Sequence, residues 1–464
     1  VGSQDFAALR AELDLPPLER TSDFPADVEA EAERIAGERP EAPHDLTDVP
    51  FVTIDPPGSM DLDQAVHLER RGDGFRVRYA IADVGAAVPL GGAVDEEARR
   101  RGETIYLPDG RVPLHPPRLS EDALSLLPDE VRRAVVWTIE VGADGKPGDV
   151  EVERALVRSV ARLDYEQVQS AADSGTPHAS IEALKDLGEA RRAYRVAAGA
   201  LELGIPDQVV VPDGEGWSLA WRHRTPADDW NAEISLLTGL VAGRMMVDAK
   251  VGVLRTLPPP DPDELTGFLK RAASLGVDVS DDDTAATVLA RLDATVPAHV
   301  ALMNDATVLL RGAAFHAFDG EDPAVVDHVG VGGAYAQVTA PLRRLSDRFA
   351  TEVCVALAAG EPVPDGIREA LPTLPDIMRE SGHRASAADR AAVAQVEAWQ
   401  LSDQVGETFP ALVVHTDGTA ATVLLEDPSV LAPCEAQGLK EGQRVDVRLA
   451  EVDVDAREVR FDVP

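Results

Sequence analysis

The hydrophobic pattern changes period several times along the chain. Pro50-Phe51-Val52-Thr53-Ile54 is a short apolar run that predicts a buried strand. Pro56, Pro57 and Gly58 then force a tight loop. Beyond it Met60, Leu62 and Val66 alternate with Asp61, Asp63 and Gln64, so the two acids share a face, ~7 Å apart. After a turn at Arg71–Gly74, Phe75–Ala82 alternates as a returning strand, and Ala134–Val141 and Val150–Val157 flank a further turn. Elsewhere the period is helical. Phe6, Leu9 and Leu13 mark one helix; a second starts at Pro25 and runs through Val28 and Ile35 to Gly37. Val94–Arg101, residues 178–203, Trp230–Asp248, parts of 261–312 and about 375–401 follow as helices. After Gly406 the pattern returns to short strands, at 409–414, 420–425, 445–449 and 459–461, as in an OB-type barrel.

A chain of 464 residues, 44% hydrophobic, can bury more than one core. No apolar run reaches the ~18 residues of a membrane span. The first residues carry no basic segment followed by an apolar one, so nothing reads as a signal peptide. Cys354 and Cys434 fit no zinc spacing, and a reducing cytoplasm is the simplest setting. The net charge of −38 counts against a nucleic-acid partner unless positive charge is local. Lysine stands only at 146, 185, 250, 270 and 440, so that charge is almost all arginine, the better partner for phosphate. An acidic exterior around a basic channel would expel anionic product. A general acidic bias without mechanistic meaning is the simpler alternative.

The acids after the first strand are the chemical focus. The loop can fold Asp55 beside Asp61 and Asp63, and three carboxylates at one point need a cation or a proton among them. Oxygen-only ligands favour Mg²⁺, with Mn²⁺ the other choice. An EF-hand is excluded: its sixth and twelfth positions would hold Met60 and Val66, or Val66 and Gly72. A surface turn in an acidic protein is the alternative.

The stretch Asp55, Asp61, Asp63, Ala65 resembles the signature of the RNB-family exoribonucleases of ribonuclease II and R type, with Gln64 where the family usually has a fourth Asp. Ordered blocks extend the resemblance: Ala80-Ile81-Ala82-Asp83-Val84, Glu103-Thr104-Ile105-Tyr106-Leu107-Pro108, Leu119–Leu126, Val157–Tyr165 and Tyr335–Asp347. It implies an α/β RNB catalytic domain at 46–403 and an all-β OB barrel at 404–464; the helical periods before them make 1–45 a small helical segment, with a helix-turn-helix-like unit as one reading. Residues 1–45 leave no room for two cold-shock barrels. It also implies site roles. Asp55, Asp61, Asp63 and Gln64 face the metal. Arg343 clamps the phosphate, Asp347 positions Arg343, and Pro341 opens a helix whose first turn holds both arginines. Tyr106 stacks on a base, Glu233 touches the terminal sugar, and Tyr165, Thr339 and Arg344 contact RNA. Asp83 supports the acids or caps a strand end. Ala200–Leu203 lacks the aromatic that often backs the terminal base. The implied activity is Mg²⁺-dependent 3′→5′ hydrolysis of single-stranded RNA to 5′-nucleoside monophosphates, with no membrane and no stable protein partner. A catalytically silent RNA-binding protein of the same fold is the alternative, and a phosphatase or nucleotidyl hydrolase acting on small substrates a third.

Overall fold

The computed structural model describes residues 4–21, 23–214, 216–416, 420–435 and 438–464. Residues 1–3, part of the stretch read for a leader, lie outside these. Two short helices, α1 (Ala7–Glu12) and α2 (Ala26–Ala36), come first. Then β1 (Phe51–Ile54), β2 (Gln64–Arg71), β3 (Gly74–Ala82), β4 (Val131–Val141) and β5 (Pro147–Leu163) form the main sheet, with α3 (Ala93–Arg101) inserted after β3. The order is β5-β1-β2-β3-β4, and β4 also pairs with β5, so the sheet closes on itself. β1 runs parallel to β5 and its other neighbour is antiparallel. Phe51, Val52, Thr53 and Ile54 are all buried, as a strand enclosed on both faces requires.

Helices α4 (Tyr165–Asp173) and α5 (Leu184–Ala197), a hairpin β6 (Asp207–Asp213) and β7 (Gly216–Arg222), and the 24-residue helix α6 (Pro226–Ala249) follow. Helix α5 stops at Ala197, short of the expected 203. Helix α6 starts four residues before Trp230, because Thr225 and Asp228 close a capping box around Pro226. The hairpin has no counterpart in the sequence reading. Helices α7 (Pro262–Ser274), α8 (Pro297–Ala306), α9 (Leu345–Ala358) and α10 (Leu374–Leu401) complete the helical part. The tail is a closed five-stranded barrel, β8 (Thr408–Thr416), β9 (Ala421–Leu425), β10 (Val430–Glu435), β11 (Arg444–Asp453) and β12 (Glu458–Asp462), in the order β8-β9-β10-β12-β11. The strand the sequence reading lacked is β10, which carries Pro433 on an outward position. No helix among the described residues is long and apolar enough to cross a membrane.

The N-terminal helix is not an appendage. Phe6 is 1% exposed and packs against Trp217 of β7 and Trp399 of α10, at ring-centroid distances of 5.6 and 5.3 Å. Arg10, also 1% exposed, reaches across to Asp109 with Nε 3.0 Å from Oδ2. That pair pins the short hairpin Ile105–Leu107/Gly110–Val112, whose outer residue is Tyr106. The first helix therefore joins α10 to the separate two-stranded hairpin that carries Tyr106.

Helix α6 passes close to the segment leading to Arg343. A Cβ on Gly239 would stand 2.7 Å from the Ala336 carbonyl and inside the Tyr335 ring; one on Gly243 would stand 2.7 Å from the Ala334 carbonyl. Only glycine lets the two backbones approach this closely. We expect Gly239→Ala to lower the stability of the chain by ~1–3 kcal/mol through overpacking, read from the midpoint of urea unfolding. An unchanged midpoint would show that the segment can retreat freely.

Candidate active site

The acidic loop is held in place by backbone geometry and by a neighbouring segment. Asp55 follows β1 directly, and its N–H donates to the Leu163 carbonyl at 3.1 Å. Gly58 turns the loop with φ +87°. The Leu62 N–H donates to Ser125 Oγ at 3.0 Å, Ser125 Oγ donates to the Met60 carbonyl, and the Leu126 N–H donates to the Leu62 carbonyl. Leu62 is wholly buried beneath the loop. Leu62 thus anchors the loop, with Asp61 and Asp63 on either side of it in the chain.

Each acid meets different surroundings. Asp63, 4% exposed in its side chain, accepts the Leu342 N–H on Oδ1 at 2.8 Å, across 279 residues of sequence. Its Oδ2 lies 3.3 Å from Arg343 Nε. Burial nevertheless pushes its pKa up to about 8, against the pull of Arg343. Asp61 pairs with Arg111 at 2.8 Å and accepts the Tyr106 hydroxyl at 3.2 Å. Asp55 Oδ2 is buried without a hydrogen-bond partner, and burial followed by the Asp61 charge raises its pKa to about 6. The three carboxylates do not bring one oxygen apiece within 4.8 Å of each other. Arginines draw Asp61 and Asp63 to separate partners. An orphaned buried carboxylate oxygen, with two acids held well above their ordinary range, suits a hard divalent cation bound by oxygen.

Gln64 opens β2 and uses both ends of its amide. Its Nε2 donates to the Thr339 carbonyl at 2.6 Å, and its Oε1 accepts the Tyr79 hydroxyl. The Thr339 hydroxyl is itself paired with Ser235 of α6 at 2.8 Å, and Thr339 is 2% exposed. Gln64 and Thr339 therefore strap the sheet and helix α6 to the loop that carries Arg343.

That loop differs from the sequence reading in one respect. Helix α9 begins at Leu345, so Pro341, Arg343 and Arg344 precede it rather than forming its first turn. The Thr104 N–H donates to the Arg343 carbonyl at 3.0 Å and the Leu345 N–H to the Gly102 carbonyl at 2.9 Å. This short ladder lies two residues from Tyr106, which places ring and guanidinium at the same acids. Asp347 does not hold Arg343 by a hydrogen bond. It accepts from Arg344 and from the Ala340 N–H, each at 2.8 Å, and so fixes the turn instead. The Arg343 side chain is 40% exposed and points into the cleft; that of Arg344 is 19% exposed.

A cavity of about 850 Å³ opens beside Arg343 and Gln64 and continues past Tyr165 and Asn231 to the β6–β7 hairpin. Tyr165, next to Asp55, hydrogen-bonds Asn231. Tyr106 is 47% exposed, a free ring at the acids. Glu233 is 3% exposed and its carboxylate is taken by Arg195 Nε at 3.1 and 2.9 Å; Arg195 also pairs with Glu202, and the three line the cavity together. Being eight residues into α6, it is no helix-end acid. Asp83 caps a short helix through the Ala86 N–H and pairs with Arg154, the strand-end role of the two considered. Arg222 and Arg224 also line the cavity, though paired with Asp207 and Asp229. Sequence reasoning passed over them; the run Trp221-Arg222-His223-Arg224 in so acidic a chain was the available signal.

The Asp63 environment predicts a pH dependence. Its pKa is about 8 folded against an ordinary 3.8, so between these values the folded state holds a proton that the unfolded state lacks. The stability this proton provides is full at low pH and is lost as pH rises through 8. In chelator, the melting temperature of Asp63→Asn relative to the parent should therefore rise from pH 5 to pH 8.5. A difference independent of pH would show that Asp63 is ionised throughout.

Comparison with known proteins bears on the fold and the family. Residues 43–356 match the RNB domain, and residues 407–463 match the RNase II-type exonuclease C-terminal S1 domain. Exoribonuclease 2 of Erwinia tasmaniensis is 30% identical over 346 residues, covering 68% of this chain and 51% of that protein. Ribonuclease R of Escherichia coli is 27% identical, covering 93% of this chain and 60% of that protein. The chain thus spans roughly half the length of the curated relatives it matches. Its fold superposes on Mycoplasma genitalium RNase R in complex with ribose-methylated single-stranded RNA with a TM-score of 0.83 at 19% identity, covering 95% of this chain and 76% of that one. Yeast Ssd1, a pseudonuclease, also shares the fold, with a TM-score of 0.71 at 16% identity, covering 88% of this chain and 53% of that one. With a matched RNB domain over two thirds of its length, followed by the S1-type barrel, the chain belongs to the RNB exoribonuclease family.

Proposed function

We propose that this chain is a divalent-metal-dependent 3′→5′ exoribonuclease that hydrolyses single-stranded RNA to 5′-nucleoside monophosphates. The observation that carries the reading is the meeting of Asp63 and Arg343, 3.3 Å apart, with the Tyr106 hydroxyl on neighbouring Asp61. Asp55, Asp61 and Asp63 would hold Mg²⁺ or Mn²⁺, which when bound supplies Lewis acidity at the scissile phosphodiester. Arg343 exchanges its contact with Asp63 for a phosphate oxygen and holds the charge that accumulates as water attacks. Tyr106 offers its ring to a base, and the Tyr165–Asn231 side of the cavity flanks the strand. Gln64 and Thr339 keep the arginine loop from drifting relative to the acids. Arg344, bound to Asp347, stiffens that loop and lends its charge to the RNA backbone.

A second reading, a silent RNA-binding protein, draws on Gln64. A neutral amide tied at both ends replaces one negative charge, which weakens metal binding at that edge. Labelled single-stranded RNA incubated with Mg²⁺, Mn²⁺ or chelator separates the two. The exonuclease reading expects mononucleotides with metal and intact RNA with chelator. Binding without cleavage, with cleavage restored by Gln64→Asp, would establish the silent reading instead. Arg343→Ala should lower turnover ~10²–10³-fold with little change in RNA affinity. Tyr106→Ala should weaken RNA binding by ~1–3 kcal/mol, whereas Tyr106→Phe keeps the ring and should bind as the parent does. Equal losses for both Tyr106 variants would mean that the hydroxyl on Asp61 matters rather than the ring.

A further inference from the structure

A second cluster of metal-ligating side chains lies far along the chain from the acids of the cleft, where the barrel meets the helical part. His415 is on β8, Glu441 on the loop before β11 and Asp305 near the end of α8. His415 Nδ1 is 3.4 Å from Asp305 Oδ1 and 3.5 Å from Glu441 Oε1. One ligand atom from each residue lies within 4.8 Å of the other two, an arrangement found nowhere else among the described residues. These separations are long for hydrogen bonds. They fit the ligand-to-ligand spacing of a tetrahedral site, about 3.3 Å for bonds of ~2.0–2.1 Å.

The outer oxygens are already engaged. Arg271 Nη1, from α7, stands 3.0 Å from Asp305 Oδ2 and 2.7 Å from Glu441 Oε2. The inner oxygen of Glu441, Oε1, accepts the Thr416 N–H at 3.3 Å. Arg271 thus orients both carboxylates from behind, as groups around a metal's ligands commonly do. Two carboxylates against one guanidinium leave net negative charge on the inner side. Asp305 and Glu441 side chains are 10% and 11% exposed, and Asp305 Oδ2, though ion-paired, is buried without a hydrogen bond. His415 is 51% exposed, and Arg271, Asp305 and His415 line an open cleft of about 460 Å³ that gives an ion a path in.

We infer that Asp305, His415 and Glu441 form a zinc-class divalent cation site that clamps the C-terminal barrel to helix α8. One imidazole with two carboxylates favours Zn²⁺ over Mg²⁺, so the site differs in chemistry from the oxygen-only acids of the cleft. Its role is structural: no residue of the cluster lines the cavity that holds Arg343 and Gln64.

The test is Zn²⁺ titration of the chelator-stripped chain, followed by calorimetry and by melting temperature. Three further proteins run beside it: His415→Gln, Glu441→Gln, and Asp63→Asn to remove the acids of the cleft. The site expects one equivalent of Zn²⁺ that Asp63→Asn retains and His415→Gln lacks, and a Zn²⁺-dependent rise in melting temperature in the parent and in Asp63→Asn. His415→Gln and Glu441→Gln should bind at least tenfold more weakly and lose that rise, while melting like the parent in chelator. Co²⁺ should give tetrahedral absorption bands in the parent that His415→Gln lacks. Absence of Zn²⁺ binding in the parent, or equal binding and an equal rise in His415→Gln, would overturn the inference. The second result would mean that a protonated imidazole, with no metal, bridges the two acids.

Discussion

The architecture depends on one buried joint, the carboxylate of Asp63 gripped by the Leu342 N–H and the Arg343 guanidinium. A carboxyl group this deeply buried is costly, charged or neutral, unless its oxygens are hydrogen-bonded. Here both partners come from a single loop, so the cost becomes a positional constraint: the loop cannot shift without leaving the acid unsatisfied. The remaining contacts reinforce the same register. Gln64 reaches the Thr339 carbonyl, Thr339 reaches Ser235, and Asp347 closes the turn through Arg344 and the Ala340 N–H. Sheet, helix α6 and helix α9 are locked around one point, and that point is where phosphodiester chemistry is proposed.

The joint also shows how an acidic chain of net charge −38 keeps guanidinium groups in place beside its cleft. Along the cleft, as elsewhere in the chain, arginines are set in pairs with acids. Arg343 faces Asp63, Arg195 faces Glu233, and Arg224 faces Asp229. Each arginine is held in place by an acid; under the proposed function a phosphate would compete for it. Such pairs pre-orient the guanidinium fork at low entropic cost. They also make a strand's grip on the cleft sensitive to salt.

Much of this was legible in the sequence. The period-2 alternation around Leu62 placed the acids on one face, and ordered blocks tied residues 55–63 to residues 339–347 before any contact was known. The limits were local. Pro341 looked like a helix opener, yet Asp63 and Thr104 recruit the backbone of residues 342 and 343, so the helix waits until Leu345. Asp347 stands four residues after Arg343, but such residues face each other only inside one helix, and the helix begins between them. Glu233 read as a free acid because its partner Arg195 is far away in sequence. The role of Phe6 was hidden for a related reason: its aromatic partners, Trp217 and Trp399, lie hundreds of residues along the chain and signal nothing locally. Strand β10 and the β6–β7 hairpin carry prolines at Pro433 and Pro212, which weaken a strand signature.

The most direct test of the account is a crystal of the chain soaked with Mn²⁺ and a short RNA bearing a non-hydrolysable 3′-terminal linkage, with manganese located by anomalous scattering. The account predicts manganese among Asp55, Asp61 and Asp63, the terminal phosphate on the Arg343 guanidinium and a base against the Tyr106 ring. Manganese absent from those acids, or an RNA 3′ end bound away from Arg343, would contradict it.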